Sequence, residues 1–309
     1  MQRWARFSAV VLAVFVLAAG SVEAQNGSSG LGGEAEAPSS DTADLLELRQ
    51  LAEQGDVNAQ VALGVIYELG LGVPQSDEEA VRWYRLAAEQ GEADAQARLG
   101  VMYANGRGAP QNYAEAVRWF RLAAEQGEAD AQKNLGAMYL DGAGMPQNDA
   151  EAVRWLRLAA EQGEADAQFL LGNKYYNGRG VPQNDAEAVR WYRLAADHGD
   201  ERAQIILGGS YQFGRGVPQD YVEAARWYRL AAEQGNADAQ LLLGFMYLFG
   251  RGVPQDYVEA YKWFNIAAAA GNVDARQHRD RIMQRMTPAQ IEEGQRRSAE
   301  WRPTNGPQQ

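Results

Sequence analysis

Apolar residues recur along this chain every three to four positions, the spacing of one helix face, in short segments that end at glycine or proline. Between Ala93 and Ala104, small and apolar residues recur at helical spacing without a proline, which is typical of a helix packed on one side. Gly106 and Gly108 then end the segment, because glycine adopts left-handed backbone angles without a steric cost. Asn112 is a good N-cap for a second helix from Tyr113 to Gln126. The pattern predicts a helical hairpin.

The hairpin recurs six times with a period of 36 residues. A tyrosine, a proline, a tryptophan and a closing glycine keep this spacing in every copy, which chance does not produce. The copies, numbered one to six here, span residues 56–91, 92–127, 128–163, 164–199, 200–235 and 236–271. A single hairpin cannot cover its own apolar face, so each copy must pack on its neighbours. The repeat therefore predicts an all-α solenoid of helix-turn-helix units.

One tryptophan stands at the same place in the second helix of each copy, among alanines that let helices approach closely. Burial of an indole removes ~150–250 Å² from water, an upper-bound gain of roughly 4–6 kcal/mol. This gain favours a structural role over an aromatic ligand cage. The predicted structural residues are Trp83, Trp119, Trp155, Trp191, Trp227 and Trp263.

The N-terminal residues 1–24 have the features of a secretory signal peptide. Arg3 and Arg6 precede an apolar run, and Ala24 is a small residue at the expected cleavage point. The apolar run is short for a bilayer span, although an uncleaved N-terminal anchor is the alternative. We therefore expect a periplasmic or secreted protein with no stable membrane insertion after cleavage.

The remaining segments flank the repeats. Residues 25–40 are rich in glycine, serine and alanine and are predicted to be a flexible linker. Residues 41–55 resemble the second helix of a copy and are predicted to form an N-terminal capping helix. Residues 272–301 are strongly charged, which suits C-terminal capping helices with one solvent-exposed face, and residues 302–309 are predicted to be a disordered tail.

Charge and residue types restrict the chemistry. The net charge of −12 opposes binding to phosphate backbones, so no nucleic-acid partner is expected. The absence of cysteine excludes disulfides, thiol catalysis and thiolate metal sites. His198 occupies a place held by glutamine in four other copies, and His278 lies alone in the predicted C-terminal cap. We predict no catalytic residue, no metal site and no cofactor.

The residues of copy five illustrate a resemblance to the Sel1-like repeat, a relative of the tetratricopeptide repeat. They are Ala203, Leu207, Gly208, Tyr211, Gly214, Gly216, Val217, Pro218, Gln219, Glu223, Ala224, Trp227, Tyr228, Ala231, Ala232 and Gly235. The resemblance covers residues 41–301 and implies a right-handed α-superhelix with an adaptor role in complex assembly, often in exported bacterial proteins. A disulfide-rich bacterial branch of the family has been linked to β-lactam binding, but this chain lacks the cysteines of that branch.

The first helix of each copy has an arc of fixed residues and an opposite arc of varied ones. We expect the varied arc to line the concave groove of the solenoid, where a partner would bind. In copies four to six this arc is rich in large apolar side chains, which indicates either a binding surface or additional core. The candidate groove residues are Phe169, Asn173, Tyr176, Ile205, Gln212, Phe213, Leu241, Phe245, Leu248 and Phe249.

These features together predict an exported, non-catalytic scaffold that binds a protein or peptide partner through its groove. The acidic surface slightly favours a partner with basic flanks. One alternative is a cell-envelope hydrolase or β-lactam-binding protein, which would need a cluster of non-repeating polar residues in a cleft. The other is a self-associating structural protein.

Overall fold

The computed structural model describes residues 40–304 and contains fifteen helices and no strand over that range. In chain order the helices are α1 Ser40–Glu53, α2 Val57–Leu69, α3 Asp77–Glu89, α4 Ala93–Asn105, α5 Tyr113–Glu125, α6 Ala129–Asp141, α7 Asp149–Glu161, α8 Ala165–Asn177, α9 Asp185–Asp197, α10 Glu201–Phe213, α11 Tyr221–Glu233, α12 Ala237–Phe249, α13 Tyr257–Ala269, α14 Val273–Met283 and α15 Pro288–Glu300. The predicted signal peptide, linker residues 25–39 and tail residues 305–309 lie outside the described residues.

The hairpin of α4 and α5 shows how the local sequence forms each copy. The Glu92 carboxylate accepts the backbone N–H of Ala95 at 2.6 Å and caps α4. Gly106 ends this helix with φ of 67°, a conformation that costs other residues more. The Asn112 side chain then accepts two backbone N–H groups in the first turn of α5. Both helices predicted from the pattern are confirmed to within one residue.

A glycine in the first helix lets the two helices of a hairpin touch. A β-carbon added to Gly100 would lie 2.7 Å from the ring of Phe120, and one added to Gly208 would lie 2.4 Å from the ring of Tyr228. Such distances are well below van der Waals contact, so the aromatic ring lies directly on the backbone of the first helix. In copy three, Leu156 takes the place of the aromatic ring at Gly136. This close approach explains why the glycine recurs in every copy.

In copies two, three, five and six, the turn inside the hairpin packs on the preceding copy. Gly108 has φ of 65°, and a β-carbon there would lie 2.1 Å from the carbonyl oxygen of Asp77 at the start of α3. Trp119 joins the same junction, since it belongs to a buried cluster that contains Tyr84 and Leu99. All six predicted structural tryptophans are at most 6% exposed. Stacking of neighbouring copies therefore produces the core, and the predicted all-α solenoid of repeats is confirmed.

A ladder of buried glutamines adds polar contacts between copies. The ladder glutamines are Gln60, Gln96, Gln132, Gln168, Gln204 and Gln240, one at the start of each copy. Each donates its Nε2–H to a backbone carbonyl eight residues earlier, at 3.0–3.2 Å. The residue before the closing glycine of a copy, here called the closing residue, supplies the other partner. In copies one, two and five, a closing glutamine donates to the ladder Oε1 at 2.8–2.9 Å.

Copy four closes its ladder with a histidine. His198 Nδ1 lies 3.2 Å from Gln168 Oε1, in the place of the glutamine that other copies use. The contact accounts for this histidine as a structural substitute, because one ring nitrogen can supply the same donor as an amide.

The helices divide into two compact units, one up to Leu158 and one from Ala159 onwards. The first unit contains α1, which occupies the predicted N-terminal capping segment, and the hairpins of copies one and two. The second unit contains the hairpins of copies five and six, followed by α14 and α15 within the predicted C-terminal capping segment. Thr287 and Gln290 form a capping box at the start of α15, and Pro288 is its first residue.

The chain after α15 returns to the end of α11. The backbone N–H of Thr304 donates to the carbonyl oxygen of Glu233 at 2.8 Å. Trp301 packs edge-on against Trp263, with 6.1 Å between ring centroids. Residues 301–304 thus lie against copies five and six.

Candidate functional site

All ten candidate groove residues lie on α8, α10 and α12, the first helices of the last three copies. Two of them are largely exposed, Phe213 at 72% and Phe249 at 58%. The other eight are half-buried. Their contacts separate nine of them into three groups, which differ in how far the protein's own side chains cover them, and Phe249 stands apart.

The first group borders an open cavity of about 420 Å³ between α8, α9 and α10, here called the α8–α10 groove. Its lining residues are Asn173, Tyr176, Asn177, Tyr192, Ile206, Gly209, Ser210, Phe213 and Arg215. Three of the predicted residues, Asn173, Tyr176 and Phe213, are therefore brought together at one place.

Gly209 creates the space in this groove. The equivalent residues of the other copies carry side chains, and they are Val65, Val101, Ala137, Asn173 and Phe245. A β-carbon added to Gly209 would have the Tyr228 hydroxyl, 3.7 Å away, as its nearest non-local neighbour. Steric packing therefore does not require this glycine, in contrast to Gly208 beside it. A search for large side chains overlooks Gly209, although its departure from the other copies is visible in the sequence.

Polar groups border the groove in fixed positions. The Tyr192 hydroxyl donates to Asn173 Oδ1 at 2.8 Å, and burial raises the pKa of Tyr192, so the hydroxyl keeps its proton. The Arg215 guanidinium donates to the Tyr176 hydroxyl and lies over the same ring, 5.5 Å from its centroid. The groove thus combines an amide and a guanidinium with aromatic walls.

The second group is covered by neighbouring side chains of copies four to six. The Arg202 guanidinium covers the ring of Phe169 at 4.3 Å and pairs with Asp166 at 2.6 Å. Gln212 Oε1 accepts the Tyr228 hydroxyl at 2.9 Å, and burial raises the pKa of Tyr228 to about 12. Ile205 packs on the buried cluster around Trp263 and Met246.

The third group packs against the C-terminal helices. The Phe245 ring lies edge-on to Phe264 at 5.3 Å and to His278 at 4.6 Å. Leu241 and Leu248 pack on the same cluster, which includes buried Ile282 and Met286. These contacts of Leu241, Phe245 and Leu248 favour additional core, the alternative to a binding surface, because the charged cap helices have an apolar face that these side chains cover.

Phe249 borders this third group but stays exposed. Its ring stacks on Phe245 at 6.1 Å, and the Arg251 guanidinium lies 5.5 Å from its centroid. It does not line the α8–α10 groove.

The described residues place few reactive groups together. Between residues 40 and 304, no group of three His, Cys, Asp or Glu side chains is arranged to hold a metal ion. Burial and the nearby Arg281 lower the pKa of His278, which packs on aromatic rings. Over the same range, no helix combines the length and apolar character needed to cross a membrane.

Comparison with known proteins places this architecture in a family. A family model for the Sel1 repeat matches residues 57–92, 93–128, 129–164, 165–200, 201–236 and 237–272. Each match begins one residue after the corresponding copy defined above. No curated protein sequence matches the chain significantly.

Two solved structures resemble the chain in sequence and fold. One is c5321, a protective antigen present in uropathogenic Escherichia coli strains that displays an SLR fold, with 40% identity, a TM-score of 0.76 and 83% of this chain covered. The chain spans only 56% of that antigen. The other is a Sel1 repeat protein from Oxalobacter formigenes, with 34% identity and a TM-score of 0.61, covering 72% of this chain and 96% of that protein.

Proteins built from this repeat generally mediate protein–protein interaction and are typically non-catalytic scaffolds. The family model matches six consecutive repeats that account for most of the described residues. The chain belongs to the Sel1 repeat family.

Proposed function

We propose that this protein is an exported, non-catalytic scaffold that binds a partner protein in its α8–α10 groove. The observation that carries the proposal is the open cavity beside Gly209, where every other copy places a side chain. Phe213 stands at its border with 72% of its surface exposed. An exposed aromatic ring beside a preformed cavity is a common arrangement at protein interaction sites.

The size and chemistry of the groove favour an extended peptide segment of the partner. Its volume of about 420 Å³ falls within the range of roughly 300–1,000 Å³ that is usual for specific pockets. A large apolar side chain of the partner would fill the space at Gly209 and contact Tyr176 and Phe213. The Asn173 amide is suited to hydrogen bonds with a peptide backbone. The net charge of −12 favours basic residues next to this apolar anchor.

Export rests on the sequence features of residues 1–24. Positive charge, an apolar run and a small residue occur there in the order that a signal peptidase requires. The relative c5321 is a protective antigen, which is compatible with an exported protein. Expression of the full chain in a bacterial host with mass measurement of the purified product tests this: we expect the N-terminus at Gln25, and an intact Met1 would contradict export by cleavage.

The groove is tested by filling it. Gly209→Val introduces the residue that copies one and two carry at the same place. Val65 packs on the buried cluster that contains Tyr84, and Val101 on the one that contains Phe120. We expect the variant to keep the melting temperature of the wild type, because valine fits this helix in two other copies. Pull-down from envelope extract should then retain a partner with the wild type and lose it with Gly209→Val.

A matched pair of exposed residues controls for non-specific capture. Phe213→Asp should also abolish retention of the partner, whereas Leu69→Asp, at the equivalent place in copy one and 62% exposed, should not. Equal retention by all variants would contradict the proposed site. Light scattering over a dilution series separates a second possibility, since a dimer that Gly209→Val dissociates would identify the partner as another copy of this chain.

A further inference from the structure

The glutamine ladder is open at its last step. Gln240 is 1% exposed and donates its Nε2–H to the carbonyl oxygen of Ala232 at 3.1 Å, as every ladder glutamine does. Its Oε1 has no hydrogen-bond partner among the described residues and is shielded from solvent. The closing residue of copy six is Ala270, which has no group to donate. A buried acceptor without a donor is unfavourable, so a hydrogen-bond donor from outside the ladder would stabilise Gln240 Oε1.

A cavity of about 510 Å³ is lined in part by Gln240, the residue that carries the unpaired oxygen. Gln240 and Ala270 both line it, together with Gly235, Ile266, Trp301 and Pro303. The cavity lies beside Ala270, whose methyl group stands where other copies carry a longer closing side chain. Its volume far exceeds that of one water molecule, about 30 Å³ in the liquid.

The closed steps of the ladder indicate which chemical group fits. In copy two, Gln126 Nε2 donates to Gln96 Oε1 at 2.9 Å and to the carbonyl oxygen of Gly91 at 3.0 Å. One carboxamide NH₂ group thus serves a ladder oxygen and the carbonyl of a preceding closing glycine. In copy six, the equivalent acceptors belong to Gln240 and Gly235, and both residues line the cavity.

We propose that this cavity is a binding site for a primary carboxamide, the group that a glutamine side chain of a peptide ligand carries. Its NH₂ group would donate to Gln240 Oε1 and to the carbonyl of Gly235, as a closing glutamine does elsewhere. The apolar walls of Ile266 and Trp301 suit the methylene groups of such a side chain and disfavour a charged ammonium. The remaining volume accommodates the neighbouring residues of the ligand.

Entry of the ligand involves the segment after α15. Trp301 and Pro303 line the cavity, and Thr304 holds this segment at Glu233 through a single backbone N–H and its hydroxyl. Because Gln240 Oε1 is shielded from solvent, binding displaces part of residues 301–304. The Trp301 indole therefore reports on occupancy.

The carboxamide could come from another protein or from this chain. Asn305, Gln308 and Gln309 carry primary carboxamides and follow the described residues directly. A chain that ends at Thr304 is therefore compared with the full chain, so that the two sources give different results.

The experiment is an NMR titration with N-acetyl-glutamine N′-methylamide, whose only primary carboxamide is in the side chain. The signals followed are the Trp301 indole N–H, assigned with Trp301→Phe, and the Gln240 side-chain NH₂. The matched probes are the corresponding derivatives of glutamate and methionine, which have similar size but no NH₂ group. We expect saturable shifts with the glutamine probe and binding at least about tenfold weaker with the other two, since both leave Gln240 Oε1 unpaired.

Two variants test whether the ladder oxygen is the recognition element. Ala270→Gln restores the closing residue that four other copies carry, so it should fold, raise the melting temperature and abolish the shifts. Ala270→Leu fills similar space without a donor and should not raise the melting temperature. Shifts confined to the chain ending at Thr304 would support the site and identify residues 305–309 as its occupant.

Three results would overturn the proposal. They are equal affinity for the glutamine and methionine probes, unchanged binding by Ala270→Gln, and no saturable shift in either the full or the shortened chain. If no saturable shift occurs in either chain but Ala270→Gln raises the melting temperature, water alone forms the hydrogen bond to Gln240 Oε1 in the wild type. None of these results bears on the α8–α10 groove, because the two sites share no lining residue.

Discussion

Copy two and copy six have the same framework and differ in what lies beyond them. In copy two, a third hairpin follows, Gln126 closes the ladder, and Val101 occupies the place that is Phe245 in copy six. In copy six, α14 and α15 follow, Ala270 leaves the ladder open, and Phe245 packs on Phe264 and His278. Departures from the repeat at an end copy thus arise from its contact with a cap as well as from ligand binding. An apolar residue at a varied position is a binding candidate only when the protein's own elements leave it uncovered.

The largest effect is expected for the shared framework. Trp119→Ala and Trp263→Ala should each lower the free energy of unfolding by about 3–5 kcal/mol, because each deletes a buried indole between helices. Circular dichroism during urea unfolding measures the loss. Leu122→Ala, at a residue 38% exposed on the same helix as Trp119, is the control and should change stability little. A small effect of Trp263→Ala alone would show that the cap holds copy six together without its tryptophan.

Gly208 and Gly209 are adjacent in α10, but Gly208 belongs to the framework and Gly209 to the groove, so their substitution by alanine should have opposite effects on stability. Gly208→Ala should destabilise by about 1–3 kcal/mol, because its β-carbon would meet the Tyr228 ring at 2.4 Å. Gly209→Ala should stabilise by about 0.4–1 kcal/mol, because alanine restricts the unfolded chain and meets no obstacle nearer than 3.7 Å. Thermal unfolding of both variants, each compared with the wild type, measures the two changes in stability. Destabilisation by Gly209→Ala would mean that backbone packing, and not an open groove, requires this glycine.

The ladder predicts effects of opposite sign in the two copies. Gln126→Ala should cost about 1–3 kcal/mol, because it leaves the buried Gln96 Oε1 unpaired. Ala270→Gln should gain about 0.5–1.5 kcal/mol by completing the same bond to Gln240. Denaturant midpoints of both variants test the pair. Loss of stability in Ala270→Gln would show that residues 301–304 already fill the place of the closing side chain.

The smallest effect concerns pH and the cap. Burial, and then Arg281, lower the pKa of His278, so the unfolded chain takes up a proton at a higher pH than the folded chain does. Above the unfolded pKa of about 6.5, protonation of His278 does not change the free energy of unfolding. Below that pH, the free energy of unfolding decreases as the unfolded chain takes up the proton. His278→Gln should lose less stability than the wild type between pH 7 and pH 5. Identical pH profiles for the two proteins would contradict a burial of His278 by copy six.

Much of the fold could be predicted because it depends on local and repeated features. Helix ends follow from caps such as Glu92, Gly106 and Asn112, which act within a few residues of the backbone they satisfy. The site was predicted less completely. The sequence indicated Asn173, Tyr176 and Phe213 as groove residues. It also shows that Gly209 departs from the other copies, but the open space beside Gly209 appears only in the structure.

The organisation of the chain as a solenoid of six helical hairpins follows from the amino-acid sequence, since the period, the caps and the buried face recur in every copy. Which apolar side chains face solvent depends on tertiary packing. Leu241, Phe245 and Leu248 meet the cap, whereas Phe213 remains exposed beside Gly209. The missing partner of Gln240 is likewise visible only in the folded protein. In copy two, for example, the ladder glutamine and its closing residue are 30 positions apart in sequence and meet only through packing. Helix formation is governed by residues that are close in sequence, whereas the exposure and pairing of side chains depend on elements that only packing brings together.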